Sequence, residues 1–383
     1  MPGRTSSSAT SRSAGKSRRR KGLFKTRPEH RRSRWAQIGT DYDPTGRTPS
    51  EQLTAPPIGS LMKRSASVTS EMGRVLVTGG AGFLGTYMAR RLAEDGAEVT
   101  ATYLPRATPR PPVAPTGVRY VPLDVTDRGQ VARLMEETRP ETIYHFAGQA
   151  FVIPSWEDPA GTFAVNLTGT LYLLEEIRHR FPDCRFAFAG SGTEYGDPPT
   201  IPTPEESPLR PTSPYASSKA AADLLCYQYF RSFGTRVFRY RIFGTTGPGK
   251  RGDSTNDFAS QIAALEQGPA PRTLKVGNLD KRRDIQDVRD AVRAMIAVVE
   301  RGTPGEAYNI GSGVPRLVQD NLDLLLRLAR VPISIERAAE RIRRVDEPVH
   351  LADIARLRAL GWAPTIPFEQ TLRDILDSWR QPS

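Results

Sequence analysis

Short apolar runs alternate with amphipathic stretches from residue 74 onward. "RVLVTG" reads as a buried strand, "LGTYMARRLAEDG" as a helix closed by Gly96, and "EVTATYL" as a second strand. A third strand lies in "VRYVPLDVTD", followed by a helix in "RGQVARLMEETRP", a strand in "TIYHFAG" and a helix in "TGTLYLLEEIRHRF". "CRFAFAGS" is another strand, "YASSKAAADLLCYQYFRSFG" a long helix and "RVFRYRIFG" a further strand. Strands and helices in such alternation predict right-handed βαβ units, hence an α/β protein with a doubly wound parallel sheet. After Gly247 the alternation gives way to Gly/Pro-rich loops, with helices expected over 257–267, 287–301, 319–329 and 368–380. These predict a smaller C-terminal α/β lobe, from which a strand near "AYNIGS" (307–312) could return to the main sheet.

Charge adds a third region. The formal net charge is +12 over 383 residues. Residues 1–70 hold 15 Lys/Arg against 4 Asp/Glu, and the other 313 residues hold 39 against 38. The basicity belongs to the amino-terminal end and not to the body. That end is rich in Ser, Arg, Gly and Pro and poor in aliphatic residues, so it is expected to be a disordered basic tail. The expected division is therefore tail 1–72, first domain 73–246 and second lobe 247–383. Contact with nucleic acid through counterion release is one reading of the tail. A solvated extension, or a start codon placed ahead of Met62 or Met72, is the blander and preferred one. No apolar h-region follows "SRRRKGLF", so export is not expected, and no run of about 18 apolar residues suggests a membrane span. Cys184 and Cys226 have neither CxxC nor metal-type spacing and are expected to be buried thiols of a cytoplasmic protein.

"VTGGAGFLG" (77–85) is the first candidate for chemistry. It places Gly79, Gly82 and Gly85 at a strand-to-helix turn, where the backbone must turn tightly and admit a pyrophosphate at the helix N-terminus. With a buried strand before it and a helix after it, the string predicts a Rossmann-type nucleotide site. Phe83 and Leu84 in the turn, Asp124 and Val125 after the third strand, and Ala147 and Gly148 after the fourth are expected to line the same site. An NAD site would show an acid at the end of the second strand. Here "VTATYLPRATPR" has none, and Arg106 and Arg110 follow within reach of a 2′-phosphate, so NADP is favoured with NAD possible. Asp124 could accept from an adenine amino group or cap the following helix.

That turn, together with the YxxxK spacing of Tyr215 and Lys219 in "YASSK", resembles the extended short-chain dehydrogenase/reductase family over about residues 74–381. "GTFAVNLTGTLYLLE", "EESPLRPTSPYASSK", "LKVGNLDKRRDIQDVRD" and "LGWAPTIPFEQTL" narrow the resemblance to its nucleotide-sugar branch, the GDP-4-keto-6-deoxy-mannose reductases and GDP-mannose 4,6-dehydratases. The resemblance implies a cytoplasmic enzyme that forms a homodimer, with a nucleotide-sugar substrate in the second lobe. It also implies that Ser191 in "AGSGTEYG" holds the sugar C4 oxygen, that Lys219 holds the nicotinamide ribose, and that Arg283, Arg343 and Asn278 bind substrate, the arginines facing its diphosphate.

The residue chemistry agrees. Tyr215 and Lys219 are i and i+4 on one helix and share a face. A nearby ammonium is expected to lower the phenol's ordinary pKa of about 10 toward usable acidity. The resemblance implies that dehydratases carry a carboxylate in the two positions after the Ser/Thr; here they are Gly192 and Thr193. Thr193 is then an auxiliary, and Glu194, pointing the other way if the segment stays extended, is structural. Elimination is disfavoured. Reduction of a GDP-4-keto-6-deoxyhexose by NADPH is the leading reading, and a 4-epimerase or a 4,6-dehydratase with a relocated acid are the alternatives. A ligand-sensing regulator with a basic nucleic-acid arm would have no use for Ser191, Tyr215 and Lys219. One departure bears on the substrate: related enzymes carry Asn after the Phe of "RIFGTTGPG", where this chain has Gly244. His145 reads as a packing residue, no metal site is expected, and no G-x-S-x-G elbow supports a hydrolase.

Overall fold

A computed structural model describes residues 73–107, 114–341 and 349–381 of the chain. The basic tail, Arg110 and Arg343 lie outside the described residues. The first half runs β1 (Arg74–Thr78), α1 (Phe83–Glu94), β2 (Glu98–Tyr103), β3 (Val118–Pro122), α2 (Arg128–Thr138) and β4 (Thr142–His145). It continues with α3 (Val152–Glu157), α4 (Pro159–Phe163), α5 (Gly169–Arg180), β5 (Arg185–Ser191), α6 (Pro214–Phe233) and β6 (Val237–Ile242). The second half holds β7 (Gly244–Thr246), α7 (Ser254–Gln267), β8 (Thr273–Val276), β9 (Arg282–Asp287), α8 (Val288–Arg301) and β10 (Ala307–Ile310). The chain closes with β11 (Pro315–Leu317), α9 (Val318–Leu328), β12 (Ser334–Arg337), β13 (Val349–His350), α10 (Ala355–Ala359) and α11 (Phe368–Arg380).

Seven strands form one parallel sheet in the order β10-β6-β5-β4-β1-β2-β3. The strands are apolar on both faces because helices cover both. Val75 and Val77 of β1 pack with Met88 and Leu92 of α1 and Val292 and Met295 of α8, while Leu76 packs with Leu134 of α2, Leu173 of α5 and Cys226 of α6. A third apolar cluster unites Phe258 and Ile262 of α7, Leu322 of α9, and Leu372 and Ile375 of α11. Around it β9 pairs with β7, β11 and β13, and β8 pairs with β12. The strand at the edge, β10, lies parallel to β6, with Asn309 opposite Arg241.

Register decides what meets at the carboxyl edge of the sheet. Thr78 is level with His145, and Ser191 is level with Ile242. The segments after β1, β4, β5 and β6 therefore converge there, the place where a doubly wound sheet opens to ligands. Among the described residues no helix is long and apolar enough to cross a membrane, and no group of three or more His, Cys, Asp or Glu side chains could hold a metal. Cys184 and Cys226 are free and buried.

Candidate active site

The turn after β1 is built by exclusion of side chains. Gly79 has φ +67°, and a Cβ on it would lie 2.6 Å from the Ala147 backbone nitrogen. A Cβ on Gly85 would lie 2.2 Å from the Gly79 carbonyl oxygen. Helix α1 then starts at Gly82 with no side-chain cap, whereas Asp127, Ser213, Asp253 and Asp287 cap α2, α6, α7 and α8. The first N–H groups of α1, on Phe83, Leu84 and Gly85, are left without a side-chain acceptor, as an incoming phosphate requires. Gly79 itself donates to Thr102 Oγ1 at 3.0 Å, which ties the turn to β2. Phe83 stacks edge-on with Tyr87, and Lys250 lies 5.3 Å over the Phe83 ring. These residues fit a dinucleotide.

Farther along that edge, Ala147 donates to Thr78 Oγ1 at 3.3 Å, and a Cβ on Gly148 would lie 2.8 Å from Asn166 Oδ1. Val125 is buried against Gly169 at the start of α5. Asp124 does not cap α2; Asp127 does. The Asp124 carboxylate instead accepts from Thr126 at 2.7 Å and pairs with Arg106 at 3.3 Å. Partial burial pushes its pKa up, but the Thr126 bonds and Arg106 outweigh that and hold it below the usual range. Arg106 is largely exposed at the end of β2, beside the place where the sequence lacks an acid.

Ser213 caps α6 and Pro214 fits its first turn, so Tyr215 and Lys219 stand on the turn of the helix facing β5. The Tyr215 hydroxyl lies near the Ser191 side chain, which favours its ionised form. Ser191 Oγ lies 2.9 Å from Thr193 Oγ1 and accepts from the Thr193 backbone at 3.2 Å. Lys219 Nζ donates to the Ala189 carbonyl at 2.8 Å. The expected lowering of the phenol pKa is absent in the protein alone. Burial pushes Tyr215 up to about 12, against the pull of the neighbouring Ser191 side chain, while burial pushes Lys219 down to about 8, against the attraction of Glu194. Lys219 spends its bond on a backbone carbonyl and the desolvation of the phenol dominates, so Tyr215 is protonated at neutral pH.

The segment after Ser191 is not extended. It turns at once into a 3-10 helix over Gly192–Tyr195, which swings Glu194 back to accept from the Ser191 N–H at 2.6 Å. The Glu194 carboxyl is fully buried, 3.8 Å from Arg241. Burial and then Asp223 raise its pKa well above the carboxylate range, with Arg241 opposing. Arg241 also binds Asp223 at 3.2 Å, the Tyr195 hydroxyl at 3.1 Å and the Glu205 carbonyl at 2.7 Å. Glu194 is thus a cap and a member of a buried polar network beneath the site. His145 is similarly internal, bridging Thr78 at 2.7 Å and Thr170 at 3.0 Å, and burial pushes it down to about 3.

A cavity of about 560 Å³ is lined by Asn278, Lys281 and Arg283 together with Lys250, Asn256 and His350. Asn278 and Arg283 thus face one space. No side chain fits at Gly244, where a Cβ would lie 2.3 Å from the Asp284 carbonyl oxygen. Two residues of the site escape sequence reasoning. Asn166, in a π-helical turn over Ala164–Thr168, donates to Ser218 Oγ at 2.9 Å and to the Gln149 carbonyl at 3.1 Å. Its polar position inside an apolar helix was a usable signal. His350 follows a charged stretch of sequence and carried no signal.

A glycine-built turn with an uncapped helix, opposite a Ser-Tyr-Lys group on the same sheet edge, defines a nicotinamide-dinucleotide enzyme of the extended short-chain dehydrogenase/reductase type. The chain belongs to the GDP-mannose 4,6 dehydratase family, whose profile matches residues 76–375. It is 34% identical to GDP-6-deoxy-D-mannose reductase of Pseudomonas aeruginosa over 310 residues, 80% of this chain and 97% of that one. A structure of RMD from Pseudomonas aeruginosa complexed with NADPH is similar with a TM-score of 0.69 and 32% identity, covering 80% of this chain and 99% of that one. The UDP-glucose 4-epimerase of Thermus thermophilus in complex with NAD gives 0.71 and 31%, covering 81% and 99%.

Proposed function

We propose that the protein is an NADPH-dependent reductase of a GDP-4-keto-6-deoxyhexose. One observation carries this reading: a protonated Tyr215 beside Ser191, with Gly192 and Thr193 in the two positions that follow Ser191 and so no carboxylate there. The bound coenzyme would supply a hydride to the carbonyl carbon. Gly79, Gly82 and Gly85 would hold its pyrophosphate, Lys219 its ribose, and Arg106 its 2′-phosphate once released from Asp124. Ser191 and Tyr215 then donate to the carbonyl oxygen, and Tyr215 passes its proton to the nascent alkoxide. Lys219, charged below about pH 8, stabilises the phenolate left behind. Arg283 and Asn278, with Arg343, bind the diphosphate end of the substrate, for which guanidinium groups are suited. The similarity to a GDP-6-deoxy-D-mannose reductase supports the base and the sugar. Leu224, Tyr227 and Phe233, exposed on α6, support a homodimer through that helix, testable by light scattering.

The decisive experiment supplies GDP-mannose alone or the preformed GDP-4-keto-6-deoxymannose with NADPH. The keto sugar should be reduced with loss of NADPH absorbance, and GDP-mannose alone should yield no keto product. Efficient formation of the keto sugar from GDP-mannose would move the protein to the dehydratases.

A further inference from the structure

The strand β13 brings one imidazole of the second lobe against the Ser191 turn. His350 stacks on Phe243 with ring centroids 4.4 Å apart and planes 25° from parallel. A Cβ built on Gly192 would lie 3.0 Å from His350 Cε1, His350 Nε2 and Phe243 Cδ2 alike. Ordinary carbon contacts fall at about 3.5–4.0 Å, so two stacked rings would have to yield before even a methyl group fits. The ring is held by packing and by strand register. Its Nε2 is buried without a hydrogen-bond partner among the described residues, the ring lies against the Gly192 backbone, and β13 places it level with Arg283 of β9. Burial, with Arg283 adding to the shift, pushes its pKa down to about 4, so the wedge is uncharged at neutral pH.

We propose that His350 is a specificity-determining residue. It fills the volume beside Ser191 that any side chain at position 192 would need, so no carboxylate at that position can reach the carbons flanking the substrate carbonyl. The inference rests on the reading above, in which Ser191 and Tyr215 bracket that carbonyl. The protons on carbons next to a ketone are acidic. A carboxylate at position 192 could take one, leaving an enolate, and return a proton derived from water, which is exchange without net oxidation or reduction. Thr193 cannot stand in for it, because its hydroxyl is held by Ser191 at 2.9 Å and has an ordinary alcohol's acidity.

Four variants test this: Gly192→Ala, His350→Ala, the double Gly192→Ala/His350→Ala, and Gly192→Asp/His350→Ala. Gly192→Ala should lower kcat/KM for reduction of the keto sugar by about 10-fold to 100-fold, the usual cost of overpacking. Removing the ring should then restore at least about tenfold of that loss, a coupling expected only of residues that share one volume. In D2O, the Gly192→Asp/His350→Ala protein should place deuterium on a carbon flanking C4 faster than an enzyme-free control, and the wild type should not. A double variant as impaired as Gly192→Ala, or deuterium incorporation by the wild type, overturns the proposal. Should the wild type reduce no 4-keto sugar, the functional reading fails separately. The steric pairing is then read from thermal melting: Gly192→Ala should lower Tm and His350→Ala should partly restore it in the double variant, and additive losses overturn the pairing.

Discussion

The two ends of the cleft both depend on glycine, for opposite reasons. At the nucleotide end, Gly79 and Gly85 keep side chains out so that backbone and helix N-terminus stay open to a ligand. At the Ser191 end, Gly192 and Gly244 are glycine because their neighbours have already filled the space: His350 and Phe243 against one, the Asp284 carbonyl against the other. The first kind of glycine creates a site by its own geometry, and the second records what other segments of the chain have placed there. Substitution at the first should therefore damage coenzyme binding whatever the surroundings. Substitution at Gly192, where the obstacle is side chains, should be rescuable by changing a neighbour, whereas at Gly244 the obstacle is a backbone carbonyl that no substitution removes.

The largest effect is expected between the two ends. Tyr215→Phe removes only the hydroxyl and should lower kcat by roughly 10²–10⁴-fold, measured as NADPH oxidation with the preformed keto sugar. A loss below about tenfold would mean that the proton comes from elsewhere. Gly79→Ala combines a positive φ with a backbone contact at 2.6 Å. It should weaken NADPH binding by about 10²-fold in a fluorescence titration, with no neighbouring substitution able to restore it. Arg283→Ala should raise KM for the sugar nucleotide by about 10-fold to 100-fold with kcat nearly fixed, because diphosphate contacts are alike in ground and transition states. A fall in kcat at constant KM would remove Arg283 from the diphosphate site.

Lys219 supplies a pH dependence. Its proton is held below about pH 8, where the ordinary lysine value is 10.5. Reduction should be level below about pH 8 and decline above it, by about tenfold per unit, as the ammonium is lost. Stability moves the other way, since the cost of burying the charge is full below pH 8 and fades as pH rises toward the unfolded value. A flat kcat/KM profile from pH 7 to 10 would disconnect Lys219 from the reaction. The smallest effect belongs to the exposed Arg106. Arg106→Asp should weaken NADPH binding by about 3-fold to 10-fold and leave NADH nearly unchanged, an exposed charge contact being worth about 1 kcal/mol. A wild type that already prefers NADH would refute the NADP assignment.

The sequence by itself determined the parallel sheet, because fully buried strands and amphipathic helices leave periodicities of their own. It also determined the glycine turn and the Tyr215–Lys219 face, since one turn or one helix encodes each within a few residues. What it could not determine depends on residues far apart in the chain. That Glu194 turns back to cap Ser191 instead of pointing away follows from the 3-10 turn and the buried Arg241 and Asp223 beneath it. That Tyr215 is held as a phenol follows from desolvation, a property of everything packed around it. His350 is the clearest case: 158 positions separate it from Gly192, and only the pairing of β13 with β9 brings its ring to within 3.0 Å of where a side chain there would begin. Local chemistry is written in local sequence, but excluded volume and solvation are set by whichever distant segments the fold brings into contact.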